Sequence, residues 1–152
     1  MRGPRIFLIY WLPLIIWMVV IFSASTAAFS ARHTSRIIGP ILRWFKPDVT
    51  DETISRVQFI FRKGGHLSEY AVLGALFWNV WRKPVRSDPR SWRWSEAAIA
   101  LAFSALYAIS DEIHQAFVPG RQAQVSDVLI DTAGAAIGLV LLWMFGRRNK
   151  LW

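Results

Sequence analysis

Residues 6–22 read IFLIYWLPLIIWMVVIF, seventeen consecutive positions without a charge. At about 1.5 Å of rise per residue, a helix of that length reaches roughly 25 Å, close to the thickness of a bilayer core. A helix that is apolar on every face suits lipid, not water. Pro13 inside the run is tolerable in a membrane helix. A competing reading stays open. Arg2 and Arg5 before the run, and the small residues SASTAA (23–28) after it, also describe a cleaved signal peptide. Against that, the run is longer than a usual signal core and rich in Trp.

Three more apolar segments follow, at about 67–81, 97–118 and 128–146. The expected fold is therefore an all-α, multi-pass membrane protein. It has four transmembrane helices in one domain covering 1–152. Hydrophobic residues make up 54% of the chain, and there is no cysteine for a disulfide or thiolate site.

The net charge of +8 would suggest nucleic acid in a soluble protein. Here the basic residues lie between apolar runs, so no nucleic-acid partner is expected. Arg2, Arg5, Arg82, Lys83, Arg86, Arg90, Arg93, Arg147, Arg148 and Lys150 fall in the N-terminus, the 82–96 loop and the tail. The loop near 119–125 holds only Arg121. Basic density marks the cytoplasmic side, which gives an N-in, C-in arrangement. The 23–65 stretch then becomes an extracytoplasmic loop. Within it ARHTSRIIGPILRWF (31–45) mixes Ile37, Ile38, Ile41, Leu42, Trp44 and Phe45 with Arg32, Arg36 and Arg43. That pattern fits a basic amphipathic segment in the headgroup layer, and equally an ordinary packed loop.

This orientation brings three polar stretches to one depth. KGGHLSEY (63–70) opens the second span, SDEIHQ (110–115) closes the third, and SDVLID (126–131) opens the fourth. Between the last two, Pro119 and Gly120 suggest a turn, and Ser126 is a candidate helix cap. Helical spacing puts Lys63, His66 and Tyr70 on one face, with Glu69 close by. It puts Asp111, His114 and Gln115 on another, with Glu112 about 100° away from Asp111. Asp127 and Asp131 form a stripe continued by Gly134 and Gly138. That small-xxx-small pair lets helices approach closely in lipid, so the acids should face a neighbouring helix.

A charge at the bilayer centre costs about 2.5–3.5 kcal/mol on insertion scales, less near the interface. Lys63, Arg121, Glu69, Asp111, Glu112, Asp127 and Asp131 therefore call for one another, for water or for a ligand. Three readings stand side by side. The cluster is a polar network that holds helices together. Or it recognises an anionic or zwitterionic headgroup, with Lys63, Arg121 and Arg62 on phosphate. Or it is a small enzyme site with His66 or His114 as acid/base beside Glu69 or Asp111. No helix offers a His-x-x-x-His pair, so neither metal nor cofactor is expected. Four short spans leave little room for transport in one subunit; homo-oligomerisation would change that.

KGGHLSEYAVLGALF followed by SDEIHQAFVPGRQAQVSDVLIDTAGAAIG resembles the VanZ-like membrane proteins. Their pattern combines Lys-x-x-His-x-x-Glu-Tyr, Asp-Glu-x-His-Gln and Gly-Arg-x-x-x-x-x-Asp-x-x-x-Asn. The resemblance covers about 63–138. This chain has Asp131 where family members commonly have Asn. The founding member is associated with low-level teicoplanin resistance, without being one of the enzymes that alter cell-wall precursors. The resemblance implies membrane lipids or a lipid-linked cell-wall precursor as partner, with an effect on glycopeptide susceptibility. It names no substrate.

Overall fold

The computed structural model describes residues 3–25, 31–85, 92–118 and 123–151. Among them all regular structure is helical: α1 (Gly3–Ile6), a π-helical turn (Phe7–Trp11), α2 (Leu12–Ala24), α3 (Ala31–Phe45), α4 (Asp51–Val85), α5 (Trp94–Ala116) and α6 (Val125–Arg148).

The π turn has a local cause. Pro13 has no N–H and its ring crowds the turn before it. The chain widens there, and the Leu12 N–H reaches back five residues to the Phe7 carbonyl. Below the bulge, α2 buries Leu14 and Ile21 against Tyr70, Leu73, Val80 and Ala108. The Trp17 indole N–H donates to the Glu69 carbonyl at 2.9 Å, and the Tyr107 hydroxyl donates to the Met18 carbonyl at 2.6 Å. The rest of α2, including Ile16 and Val19, is open and apolar. A helix locked into the bundle on one side and greasy on the other has the form of a membrane span.

Three stretches are long and apolar enough to cross a bilayer: Phe7–Ala24, Trp94–Ala116 and Val125–Arg148. The sequence reading counted four. The difference lies in α4. Its apolar part is limited to 67–81 and includes Glu69 and Asn79, and Lys63, His66 and Arg82 bound it closely. Yet α4 has 35 residues, roughly 52 Å of helix against a core of about 30 Å. Within its apolar part Tyr70, Leu73, Trp78 and Val80 are buried, and α2, α5 and α6 all pack on it.

The stretch expected as a loop is largely helical. α3 packs against the first turns of α4, with Gly39 over the buried Ile54. Arg43 pairs with Asp51 across the turn at 2.6 Å. Thr50 starts α4 by accepting the Thr53 N–H on its hydroxyl at 3.3 Å. At the start of α6 the cap is Gln124 in extended conformation, one residue before the helix, and Ser126 already lies in the first turn.

The spine of the bundle is the α4–α6 pair. The two helices run parallel, and α5, which connects them in sequence, runs back along both. A Cβ on Gly134 would run into the Leu67 carbonyl, and one on Gly138 into the Ala71 carbonyl. Gly74 faces Ala135 in the same way, its Cβ position 3.0 Å from the Ala135 carbonyl oxygen. The two backbones touch, as a small-xxx-small crossing allows.

The ends of this spine differ. One carries the polar stretches. The other carries stacked tryptophans: Trp78 on Trp92 at 4.8 Å, and Trp94 against Trp143 at 5.4 Å. There Arg82, fully buried, lies 4.6 Å from the Trp78 ring, and Arg147 lies 5.4 Å from that of Trp143.

Candidate functional site

The α4–α6 crossing sets the register at the polar end. One turn above the Leu67–Gly134 contact, His66 Nδ1 lies 3.4 Å from Asp131 Oδ1. One further turn up, Lys63 forms an ion pair with Asp127, and both side chains are largely buried. The spacing of 63, 66 and 70 on α4 thus meets that of 127, 131 and 134 on α6. Asp127 also sits in the first turn of α6, where a carboxylate complements the helix dipole.

Asp111 belongs to a second group, formed by α5 with the end of α2. The Ser25 hydroxyl donates to Asp111 Oδ2 at 2.7 Å, and the Gln115 amide donates to the same oxygen at 3.0 Å. Ser25, Asp111 and Gln115 are all buried. One helical turn along, the His114 ring stacks on Phe22 of α2, with centroids 4.2 Å apart. Glu112 points elsewhere on α5, and its Oε2 accepts the Gln124 N–H at 2.9 Å. That bond ties the end of α5 to the start of α6.

Tyr70 lies between the two groups. It is fully buried, with its ring centroid 6.4 Å from that of Tyr107, one turn from Asp111. Its hydroxyl is within electrostatic reach of Asp111, Asp131 and Glu112. Several buried atoms here have no hydrogen-bond partner among the described residues: Tyr70 Oη, Asp111 Oδ1, Glu112 Oε1, His114 Nε2 and the oxygens of Asp131. The carboxylates do not converge on one point. Among the described residues no three His, Asp or Glu side chains are grouped closely enough to hold a metal ion.

The sequence profile of the VanZ/LLP1 family matches residues 7–146. The chain belongs to the VanZ/LLP1 family. No match was found among curated proteins or among solved structures. The match takes in α2 and the aromatic end as well as the three polar stretches. The whole bundle is thus the family's unit, and this VanZ/LLP1 chain is a helical membrane protein.

The structure brings together Lys63 with Asp127, His66 with Asp131, and Asp111 with Gln115. It separates the two histidines by role: His66 faces a carboxylate, whereas His114 packs on an aromatic ring. Glu69 sits half-buried on α4, within electrostatic reach of His66, and its carbonyl receives Trp17. Arg62 is exposed, its guanidinium 6.0 Å from the Phe59 ring. Arg121 and the turn around it lie outside the described residues. Sequence reasoning missed Ser25, the direct partner of Asp111. Its only signal was a run of small residues, which pointed to a cleavage site. Tyr107 and Trp17 were missed for a related reason: in apolar segments they looked like packing, although each carries a polar atom that needs a partner.

Proposed function

We propose that this VanZ/LLP1 protein sits in the bacterial cytoplasmic membrane. It would have four spans, both termini inside and its polar end outside, and it would bind there the headgroup of an envelope lipid or lipid-linked precursor. The observation that carries the reading is the polar cluster itself. Four helices deliver Ser25, Tyr70, Asp111, Glu112 and Asp131 to one buried region at one end of a membrane bundle. Polar groups at that depth are expensive, and a purely structural network would be expected to satisfy its own oxygens. This one leaves several unmatched.

The geometry changes how a headgroup would be held. Lys63 is engaged by Asp127 and is not a free phosphate ligand. The exposed Arg62 on α4 remains available for a phosphate, while the buried cluster takes the uncharged or donor-rich part of the headgroup. Binding of a lipid-linked precursor at this end would alter glycopeptide susceptibility by changing access to that precursor. A second reading has one observation in its favour. The His66–Asp131 pair is the histidine–carboxylate arrangement that acid–base chemistry on a headgroup would use.

The test is retention of lipid by purified full-length protein. After exchange into fresh detergent, mass spectrometry of the wild type should show one lipid class enriched over the membrane it came from. Asp111→Asn and Asp131→Asn should lose that enrichment while melting within a few degrees of wild type. Bound lipid that mirrors bulk composition in all three would contradict the proposal.

A further inference from the structure

The atoms left over at the polar end specify the chemistry of what they bind. Asp111 uses Oδ2 for Ser25 and Gln115, and Oδ1 remains. Glu112 uses Oε2 for the Gln124 N–H, and Oε1 remains. Asp131 is fully buried, with only the 3.4 Å approach of His66 Nδ1. Tyr70 Oη, also fully buried, is both donor and acceptor, and its ring lies 6.4 Å from that of Tyr107, one turn from Asp111, within electrostatic reach of all three carboxylates. The array is therefore rich in acceptors and holds one hydroxyl. A phosphate or carboxylate offers only acceptors and a negative charge, so it does not match.

Spacing separates the remaining candidates. A metal ion or a single ammonium presents one centre, and its acceptors must converge on it. Here they do not: Asp111 turns toward α2, Asp131 toward α4, and Glu112 toward the start of α6. No three of these side chains group closely enough for a metal ion. A quaternary ammonium wants an aromatic cage and has no N–H to donate. Dispersed acceptors with a hydroxyl among them match a group that carries several hydroxyls at several positions.

We infer that the Tyr70, Asp111, Glu112 and Asp131 array recognises a polyhydroxylated group, a sugar or polyol, presented at the polar end of the bundle. The inference rests on the headgroup reading above and narrows it to one chemical class. Each leftover carboxylate oxygen accepts a hydrogen bond from one hydroxyl, and Tyr70 donates to or accepts from a hydroxyl between them. Charge-assisted bonds of this kind are stronger than neutral ones, and a site built to pair hydroxyls rejects a ligand that lacks them.

The experiment uses the full-length protein in phosphatidylcholine nanodiscs, with thermal unfolding as the readout. The nanodiscs are doped in turn with a glycosyl-diacylglycerol, with diacylglycerol of the same chains, or with phosphatidylethanolamine. A further arm adds methyl glucoside in solution. The expected result is stabilisation by the glycosyl lipid well above that by diacylglycerol or phosphatidylethanolamine. Half-saturation should move to roughly ten-fold higher glycolipid in Tyr70→Phe and in Asp131→Asn. Stabilisation by methyl glucoside as well would support the inference and assign the sugar to a soluble source. Equal stabilisation by phosphatidylethanolamine, or glycolipid binding unchanged in both variants, would overturn it and leave the headgroup reading standing. No response of the wild type to any doped lipid, with no retained lipid after purification, would remove both.

Discussion

At one end of the α4–α5–α6 bundle Lys63 meets Asp127, His66 approaches Asp131 and Asp111 gathers Ser25 and Gln115. At the other end Trp78 stacks on Trp92, Trp94 leans on Trp143, and Arg82 lies against an indole face. The same two helices, α4 and α6, run through both. The aromatic end is held by ring stacking and cation–π contact, which suit a bilayer interface. The polar end is held by ion pairs and charge-assisted bonds, and it leaves buried acceptors over. The contrast is the main reason to read the polar end as a place for recognition.

The contrast can be broken from either side. Lys63→Met should have the largest effect, because it leaves Asp127 as an uncompensated, largely buried charge. A loss of about 3–5 kcal/mol is expected, most of it recovered in Lys63→Met/Asp127→Leu. Thermal unfolding in detergent checks both, and a single variant as stable as wild type would mean that the pair is not buried as described. Gly138→Ala acts on the spine common to both ends. Its new methyl group meets the Ala71 carbonyl, and about 1–3 kcal/mol of destabilisation should follow. Tm should fall, and α4–α6 disulfide trapping through introduced cysteines should slow.

Trp78→Phe probes the aromatic end alone. It trims the stack with Trp92 and the contact with Arg82, so about 1 kcal/mol should be lost with lipid retention intact. Loss of lipid binding in this variant would erase the distinction between the two ends. Smallest of all, Arg56→Gln removes an exposed pair with Glu52 on α4. The shift should stay within about 0.5 kcal/mol.

Much of the polar end was legible because helical periodicity and lipid energetics act on the same residues. Asp127, Asp131, Gly134 and Gly138 form one stripe, and the stripe does face α4. The family resemblance was legible too, since its three polar stretches hold many ionisable groups in fixed spacing. The fourth span was less legible: α4 falls short of the other three as a candidate because its apolar stretch is only 67–81 and contains Glu69 and Asn79. The 23–65 stretch reads as a loop with a basic amphipathic segment at 31–45; that segment is helix α3, and its contact with α4, Gly39 over Ile54, has no local sequence signal. The Asp111 partner was hidden for a different reason. Ser25 lies 86 residues away, and no local pattern announces such a contact.

The proposal depends most on α4 carrying the chain across the membrane, which would put its polar start and its aromatic end on opposite sides. The chain contains no cysteine, so single cysteines report without background. Arg62→Cys stands at the polar end of α4, and Arg93→Cys stands beyond the aromatic end, just before α5; both positions are exposed. With a membrane-impermeant maleimide on intact spheroplasts, Arg62→Cys should label at once. Arg93→Cys should label only after the membrane is permeabilised. Labelling of both before permeabilisation, or of neither, would place the two ends of α4 on the same side and contradict the account.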